Sequence, residues 1–266
     1  MTSKRIYLHA LTPVHSGVGR AADIVDLPIA REKATGWPVI PGSSLKGTLR
    51  DLVGGSRADE MFGTQEKAGT VAVTDQRILL LPVRSFYGTF AWVTSPLVLG
   101  RFHRDSAAFG LSGFADGVPS VADTDAATAA GSEVASGGKV FLEDLDLTAT
   151  AGADGPAQVL GADLGITDLG KRLCIVSDTI FSFLCETATE VNARVKLLDE
   201  QKTVQKGGLW WEEAVPAEAV FYGFAHAVRP GNALADLADA SEANRTLSIG
   251  GDTTVGKGLC RWVVTP

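Results

Sequence analysis

Hydrophobic and polar positions alternate over residues 5–14 (Ile6, Leu8, Ala10), a period of two that predicts an opening strand. The alternation then breaks. Residues 16–36, punctuated by Gly17, Gly19, Pro28 and Gly36, read as one long loop, a length that compact domains usually keep for function. After a short extended stretch at 37–41, Leu45, Leu49 and Leu52 recur at helical spacing behind Gly42, Ser43 and Ser44. That pattern predicts a helix with a serine N-cap, ended by Gly54-Gly55.

Farther along, residues 70–84 and 85–93 predict an antiparallel strand pair. Residues 95–109 are compatible with a helix capped by Thr94 or Ser95, with Pro96 in its first turn. Residues 110–136 are rich in Ala, Gly, Asp and Ser and read as a flexible insertion. Strand patterns follow at 140–148, 172–176 and 190–198, with a short apolar segment at 180–184 between the last two. Residues 199–208 read as the polar tip of a hairpin, and 209–213 resume extended structure. A strand at 220–228, an Ala-rich helix at 233–245 and two strands at 247–249 and 259–264 complete the chain.

Strands and helices alternate irregularly and hairpins are present, which predicts an α+β chain and not a doubly wound parallel sheet. A β-α-β-β-α-β core of ferredoxin (RRM-like) type fits this order in a single domain, residues 1–266. It would carry a finger loop at about 16–36, an acidic insertion at about 110–170 and a protruding β-hairpin at about 192–212.

Composition adds three constraints. Hydrophobic residues make up 45% of the chain, enough for a sizeable core. Neither a secretory leader nor a run of about 18 apolar residues appears, and Cys174, Cys185 and Cys260 are scattered among apolar neighbours. A cytoplasmic protein with no membrane partner is expected, and the absence of paired ligand spacing argues against zinc. The net charge of −7 argues against nucleic acid until its distribution is read. Ten acids against Lys139 alone lie between residues 115 and 169, so the rest of the chain is slightly basic. Arg31, Lys33, Lys46 and Arg50 form one basic segment, and Arg194, Lys196, Lys202 and Lys206 another; by charge alone, both are solvated surface.

Two loops could carry chemistry. The helix start at Ser43-Ser44, with Lys46 one turn in, is either an ordinary capped terminus or a phosphate site made by unpaired N–H groups and the helix dipole. It lacks Walker A spacing, so nucleotide hydrolysis is not expected. The segment Gly250-Gly251-Asp252-Thr253-Thr254-Val255-Gly256-Lys257-Gly258 is either a set of turns or a loop whose N–H groups face an anion. His103, with Arg101 and Arg104, reads as helix surface, and of the adjacent Trp210 and Trp211 at least one is expected in a core or an interface.

The string PVIPGSSLKGTLR, the upstream HSGVG and the terminal glycine loop resemble the RAMP superfamily of CRISPR-associated proteins. The wording VDLPIAREKATG, together with LWWEEAVPAEAVFYGF, is similar to the backbone subunits of type III-B (Cmr) effector complexes. The resemblance covers both ends and about 171–228; the segment 110–165 matches nothing. It implies a guide-RNA-binding subunit that stacks with copies of itself and with other Cmr subunits. It further implies metal-dependent endoribonuclease activity on guide-complementary target RNA, cut at regular intervals with the substrate 2′-hydroxyl as nucleophile. On this resemblance Asp26 falls where the family keeps its cleaving aspartate and would hold the divalent cation, Mg or Mn. His15 would act as an acid or base or else hydrogen-bond the loop. Ser43, Ser44, Lys46 and Arg50, with Gly250, Gly251, Gly256, Lys257 and Gly258, would contact guide-RNA phosphates. Three alternatives stay open: the corresponding subunit of type III-A complexes, a non-catalytic RNA-binding scaffold, and a repeat-RNA processing endonuclease.

Overall fold

The computed structural model describes residues 2–21, 24–114, 117–197 and 203–265. The chain opens with β1 (Ser3–Ala10), β2 (Val39–Ile40), α1 (Gly42–Val53), α2 (Gly55–Phe62), β3 (Val71–Val73), β4 (Gln76–Arg84), β5 (Phe90–Thr94) and α3 (Pro96–Ala108). Helix α3 forms as its signals predict. Pro96 occupies its first turn, the Ser95 hydroxyl accepts from Val98 N at 3.4 Å, and Val98, Leu99, Phe102 and Ser106 are buried at helical spacing. Helix α1 differs from expectation. Its N-cap is Pro41 with no side-chain cap, and the Gly42 N–H donates 2.8 Å to the Asp75 carboxylate. Gly54 and Gly55, both at positive φ, end α1 but at once begin α2, which buries Ala58, Met61 and Phe62.

The acidic segment is a folded part of the sheet, which corrects the expectation of a flexible insertion at 110–136. It contributes β6 (Asp125–Thr128), β7 (Ala135–Ser136), β8 (Lys139–Leu142), β9 (Leu145–Ala151), α4 (Asp154–Leu164) and α5 (Leu169–Arg172). Ala126, Ala127 and Val134 are buried, and β6 lies between β9 and β10 (Leu173–Val176). Small side chains pack here where a hydrophobicity pattern shows nothing. The remaining elements are α6 (Asp178–Thr187), β11 (Glu190–Leu197), β12 (Val204–Ala214), β13 (Val220–Ala227), α7 (Ala233–Ala243), β14 (Thr246–Ser248) and β15 (Leu259–Thr265). Residues 199–202 of the expected polar tip, with residue 198 before them, lie outside the described residues, whereas 204–208 already belong to β12.

The main sheet runs β14-β15-β1-β13-β4-β5-β10-β6-β9-β8-β7, with β2 also on β4 and β3 also on β13. Within it β15, β1, β13 and β4 are consecutive and antiparallel. Helix α1 lies between β1 and β4 in the chain, and α7 between β13 and β15. Long β4 uses residues 77–80 toward β13 and 81–84 toward β5, and so joins the two halves. The sheet then curls: the end of β8 returns to the end of β4, where Ser85 bridges Leu142 and Glu143 N donates 2.9 Å to Arg84 O. The hairpin β11–β12 forms a separate two-stranded sheet. The architecture is therefore mixed α+β, a large sheet with a small hairpin sheet. Among the described residues no helix is long and apolar enough to cross a membrane, and the three cysteines are buried thiols.

Candidate functional site

The long loop folds back on itself and docks against β12. Val14 pairs with Val215 through two N–H···O bonds of 2.8 and 2.9 Å, and Ala30 N reaches Ser16 O at 2.6 Å. Leu27 N donates to Trp211 O and Leu27 O accepts from Glu213 N, both at 3.0 Å, so the loop adds a short parallel bridge to the base of the hairpin. Three consecutive residues of β12, Trp211, Glu212 and Glu213, then each take hold of a different piece of the site. At about 3.3 Å per strand residue these anchor points span under about 7 Å.

Trp211 holds Asp26: its N–H donates 2.8 Å to Oδ2. Glu213 holds the loop and His15. The Glu213 carboxylate accepts from Ile29 N (3.1 Å), Arg31 Nη2 (2.5 Å) and Thr189 Oγ1 (2.9 Å), and is buried. Its backbone oxygen lies 2.6 Å from His15 Nδ1. A carbonyl only accepts, so Nδ1 carries the proton and neutral His15 keeps its lone pair on Nε2. The ring is buried against Gly17, where any Cβ would stand 2.5 Å from Nε2.

Glu212 holds the glycine loop. Its buried carboxylate receives the Lys257 ammonium and lies 3.8 Å from Arg194 Nε. Burial pushes the Glu212 carboxyl up, but the bond from Lys257, the interaction with Asp252 and the charges of Lys257 and Arg194 outweigh it and hold it below the usual glutamate range. Asp252 shifts the opposite way. Its interaction with Glu212, then burial and the Glu212 charge, push it up against the opposing charge of Arg194.

The expected phosphate sites are partly used up within the chain itself. The N–H groups of Gly251, Gly256, Lys257 and Gly258 donate to His15 O, Thr253 O, Asp252 O and Pro13 O, so these four do not face an anion as expected. Gly250 is needed for close approach: at φ 88° it lies where a Cβ would be 2.3 Å from His15 O. At α1, Ser44 N and Leu45 N turn to Pro41 O and Gly42 N to Asp75, which leaves fewer free donors than the helix start promises. Ser43 and Lys46 are exposed and Ser44 is half-buried. Arg50 is bound to Asp59 and to Gly63 O, and Lys257 to Glu212, so neither presents a free charge.

Arg101 makes a two-pronged contact with Glu32 (2.6 and 2.8 Å), joined by Arg77 Nε at 3.0 Å, and this pins residues 31–37 to α3 and β4. His103 is exposed, Trp211 is exposed and Trp210 half-buried. Sequence reasoning missed Glu212, Glu213 and Asp252. The only local signal was two adjacent glutamates on a strand, whose side chains must point to opposite faces.

The chain belongs to the RAMP superfamily, whose family model matches residues 7–261. It is 36% identical to the Cmr endoribonuclease Cmr4 of Pyrococcus furiosus over 98% of this chain and 95% of that protein. The crystal structure of oligomeric Cmr4 from the same organism covers 100% of this chain and 98% of its own, with a TM-score of 0.80 and 29% identity. A type III-B Cmr-beta complex bound to cognate target RNA contains a chain of the same fold, with a TM-score of 0.81, 20% identity and coverage of 99% and 97%.

Proposed function

We propose that this chain is the guide-RNA-binding backbone subunit of a type III-B CRISPR effector complex, and that its Asp26 loop cuts guide-complementary target RNA. The observation that carries the reading is the convergence of Asp26 and His15 on two residues of β12 two positions apart, in a chain 36% identical over nearly its full length to a Cmr endoribonuclease. Copies would stack head to tail on one guide, as heterologous contacts that do not close make filaments, with other Cmr subunits at the ends. The β15-β1-β13-β4 order with its two crossover helices supports a ferredoxin-like core beneath these loops. The close match of VDLPIAREK favours the type III-B over the type III-A subunit.

The residues divide the work. The Trp211 N–H orients the Asp26 carboxylate through Oδ2, and among the described residues no donor is placed on Oδ1. No three His, Cys, Asp or Glu residues among those described are grouped to cage a metal. A lone carboxylate suits Mg or Mn shared with phosphate oxygens and water, and such a cation would neutralise charge at the phosphate. The loop, clamped by Glu213 and by Glu32, keeps Asp26 in place while the scissile phosphate and its neighbouring 2′-hydroxyl are presented. Sequence is read by base pairing of guide and target, and the protein contacts backbone. Exposed Lys46 and Ser43, with Ser44, are the accessible part of the guide contact at α1, and the glycine loop adds shape.

The test is an end-labelled target RNA with a single 2′-deoxy residue at one cut position. That cut alone should vanish while its neighbours persist, because each copy acts with its own local nucleophile. Loss of every cut, or of none, would contradict the reading.

A further inference from the structure

We propose that Arg50 is a stacking platform for one base of the guide RNA, seated in the cleft between α1 and the turn that follows α2. This inference rests on the reading of Lys46 as a guide-backbone contact and deepens it. An open cleft of about 720 Å³ is lined by Lys46 and Arg50 from α1 and by residues 62–66. Its volume lies within the range of small-ligand sites, about 300–1,000 Å³. Lys46 is exposed, and among the described residues nothing pairs with its ammonium, so a phosphate held there brings the attached base to this cleft.

Arg50 does not act as the phosphate contact that its charge suggests. Its Nη2 donates to the Asp59 carboxylate and its Nη1 to Gly63 O, which offsets the charge and fixes the orientation of the guanidinium. Such bonds lie in the guanidinium plane, so they occupy edges and leave the faces, and 38% of the side chain stays exposed. Other arginines of the chain already stack on internal rings. Arg5 lies 4.6 Å from the centre of the Phe102 ring, Arg172 5.2 Å from Phe90 and Arg101 5.9 Å from Trp37. Among the described residues no ring lies against Arg50, and a guanidinium held flat and uncovered suits a base.

The rest of the cleft favours a base over a second phosphate. The charges of Lys46 and Arg50 are offset by Asp59 and Glu66, so the cleft as a whole does not draw anions. An ionised Glu66 only accepts, which repels phosphate and suits an exocyclic amine. The exposed Gln65 amide has no partner among the described residues and can both donate and accept. Thr64 Oγ1 accepts from the N–H groups of Glu66 (3.3 Å) and Lys67 (3.2 Å), which leaves its hydroxyl proton to donate. Gly63, at φ 84°, lets this turn close where a Cβ would stand 2.7 Å from Lys67 O. Stacking accepts any base, as a subunit that carries many guides requires.

The experiment measures guide binding by filter assay across a salt series, with guides that carry one abasic nucleotide placed at each position in turn. With the wild-type chain, binding should fall about 10-fold where the seated base is missing, at positions recurring once per stacked copy. The slope of log K against log salt should not change, because the phosphate is still there. Arg50→Lys keeps the charge and loses the plane. It should bind intact guide about 10-fold more weakly, and removing the base should then cost nothing more. A second variant leaves Arg50 untouched. Gln65→Cys puts an exposed thiol at the rim, whereas the three native cysteines are buried and resist alkylation. Intact guide should shield the new thiol from iodoacetamide, and guide lacking the seated base should shield it several-fold less. Four outcomes would overturn the platform: no penalty at any abasic position, a penalty that survives Arg50→Lys in full, full guide binding by Arg50→Lys (the mark of a phosphate contact), or equal shielding by intact and abasic guide (the mark of a protein over the cleft). Lys46→Ala with unchanged guide affinity and salt slope would instead overturn the reading on which this one rests.

Discussion

Replacing Glu213 with alanine should loosen the whole loop that carries Asp26. The carboxylate accepts three bonds, from Ile29 N, Arg31 and Thr189, and only 8% of its side chain is exposed. Removing one partner of a buried ion pair costs about 3–5 kcal/mol, and an unpaired buried N–H about 1–3 kcal/mol. Two features reduce that total. The Arg31 side chain is 25% exposed, and its Nη1 keeps its bonds to Gly36 O (2.8 Å) and Cys185 O (3.0 Å). A net loss of about 2–4 kcal/mol follows. For a chain of this size that is a fall in melting temperature on the order of 5–12 °C. Differential scanning of the purified chain gives the global figure, and amide exchange at Leu27 and Ile29 gives the local one. Glu213→Gln retains an acceptor and should lose roughly half as much. A Glu213→Ala variant melting within about 1 °C of the parent, with unchanged exchange at Ile29, would refute the clamp.

Two further outcomes are expected. Lys46→Ala should weaken guide binding about equally for all guide sequences and lower the slope of log K against log salt by about 1, read by filter binding across a salt series; an effect confined to one guide would mean base reading. Glu32 should make stability depend on acidity. Burial raises its carboxyl, but Arg101, Thr35 and Arg77 outweigh that and hold it below the ordinary 4.5. A depressed folded value means its stabilisation is complete above about pH 4.5 and is lost as pH falls through the folded value. Melting of wild type and Glu32→Gln should therefore differ at pH 7 and converge in acid, and a gap that stays constant with pH would contradict the sign.

Much of this architecture can be read from the chain alone, for physical reasons that differ by element. Helix α3 carries its own cap, its proline and its periodicity, so its ends are local information. The hairpin β11–β12 and strands β1 and β13 show through β-rich runs in the same way. Strand β6 does not. Its buried face is Ala126 and Ala127, and small residues in a sheet centre give no hydrophobic alternation, so an Asp, Ala and Gly rich stretch looks like linker. Helix α4 is hidden similarly by Gly155, Pro156 and Gly161. Helix α6 looks like a strand-flanked apolar run, although Ile180, Phe181, Leu184 and Cys185 hold helical spacing and Ser177 caps it.

At the site, resemblance singles out Asp26 and His15, and the structure adds what holds them. The partners are separated by about two hundred residues: Asp26 from Trp211, His15 from Glu213. Nothing local in LWWEEA says that one glutamate will clamp Arg31 and the other will meet Lys257. The glycine loop shows the limit of composition most clearly. Four glycines beside a lysine suggest an anion cradle, yet Gly250 and Gly258 are required by close approach to His15 O and Ile249 O, and the lysine faces a glutamate.

The central claim is that the Asp26 carboxylate makes this chain an RNA-cutting subunit. Asp26→Asn keeps the size and the oxygen that accepts from Trp211 N while removing the charge, so the loop should stay docked. Complexes carrying either form are incubated with end-labelled target RNA and divalent metal, and the products are separated on a denaturing gel. The account predicts a regular ladder from the aspartate complex and intact, still-bound target from the asparagine complex. A full ladder from the asparagine complex would contradict it.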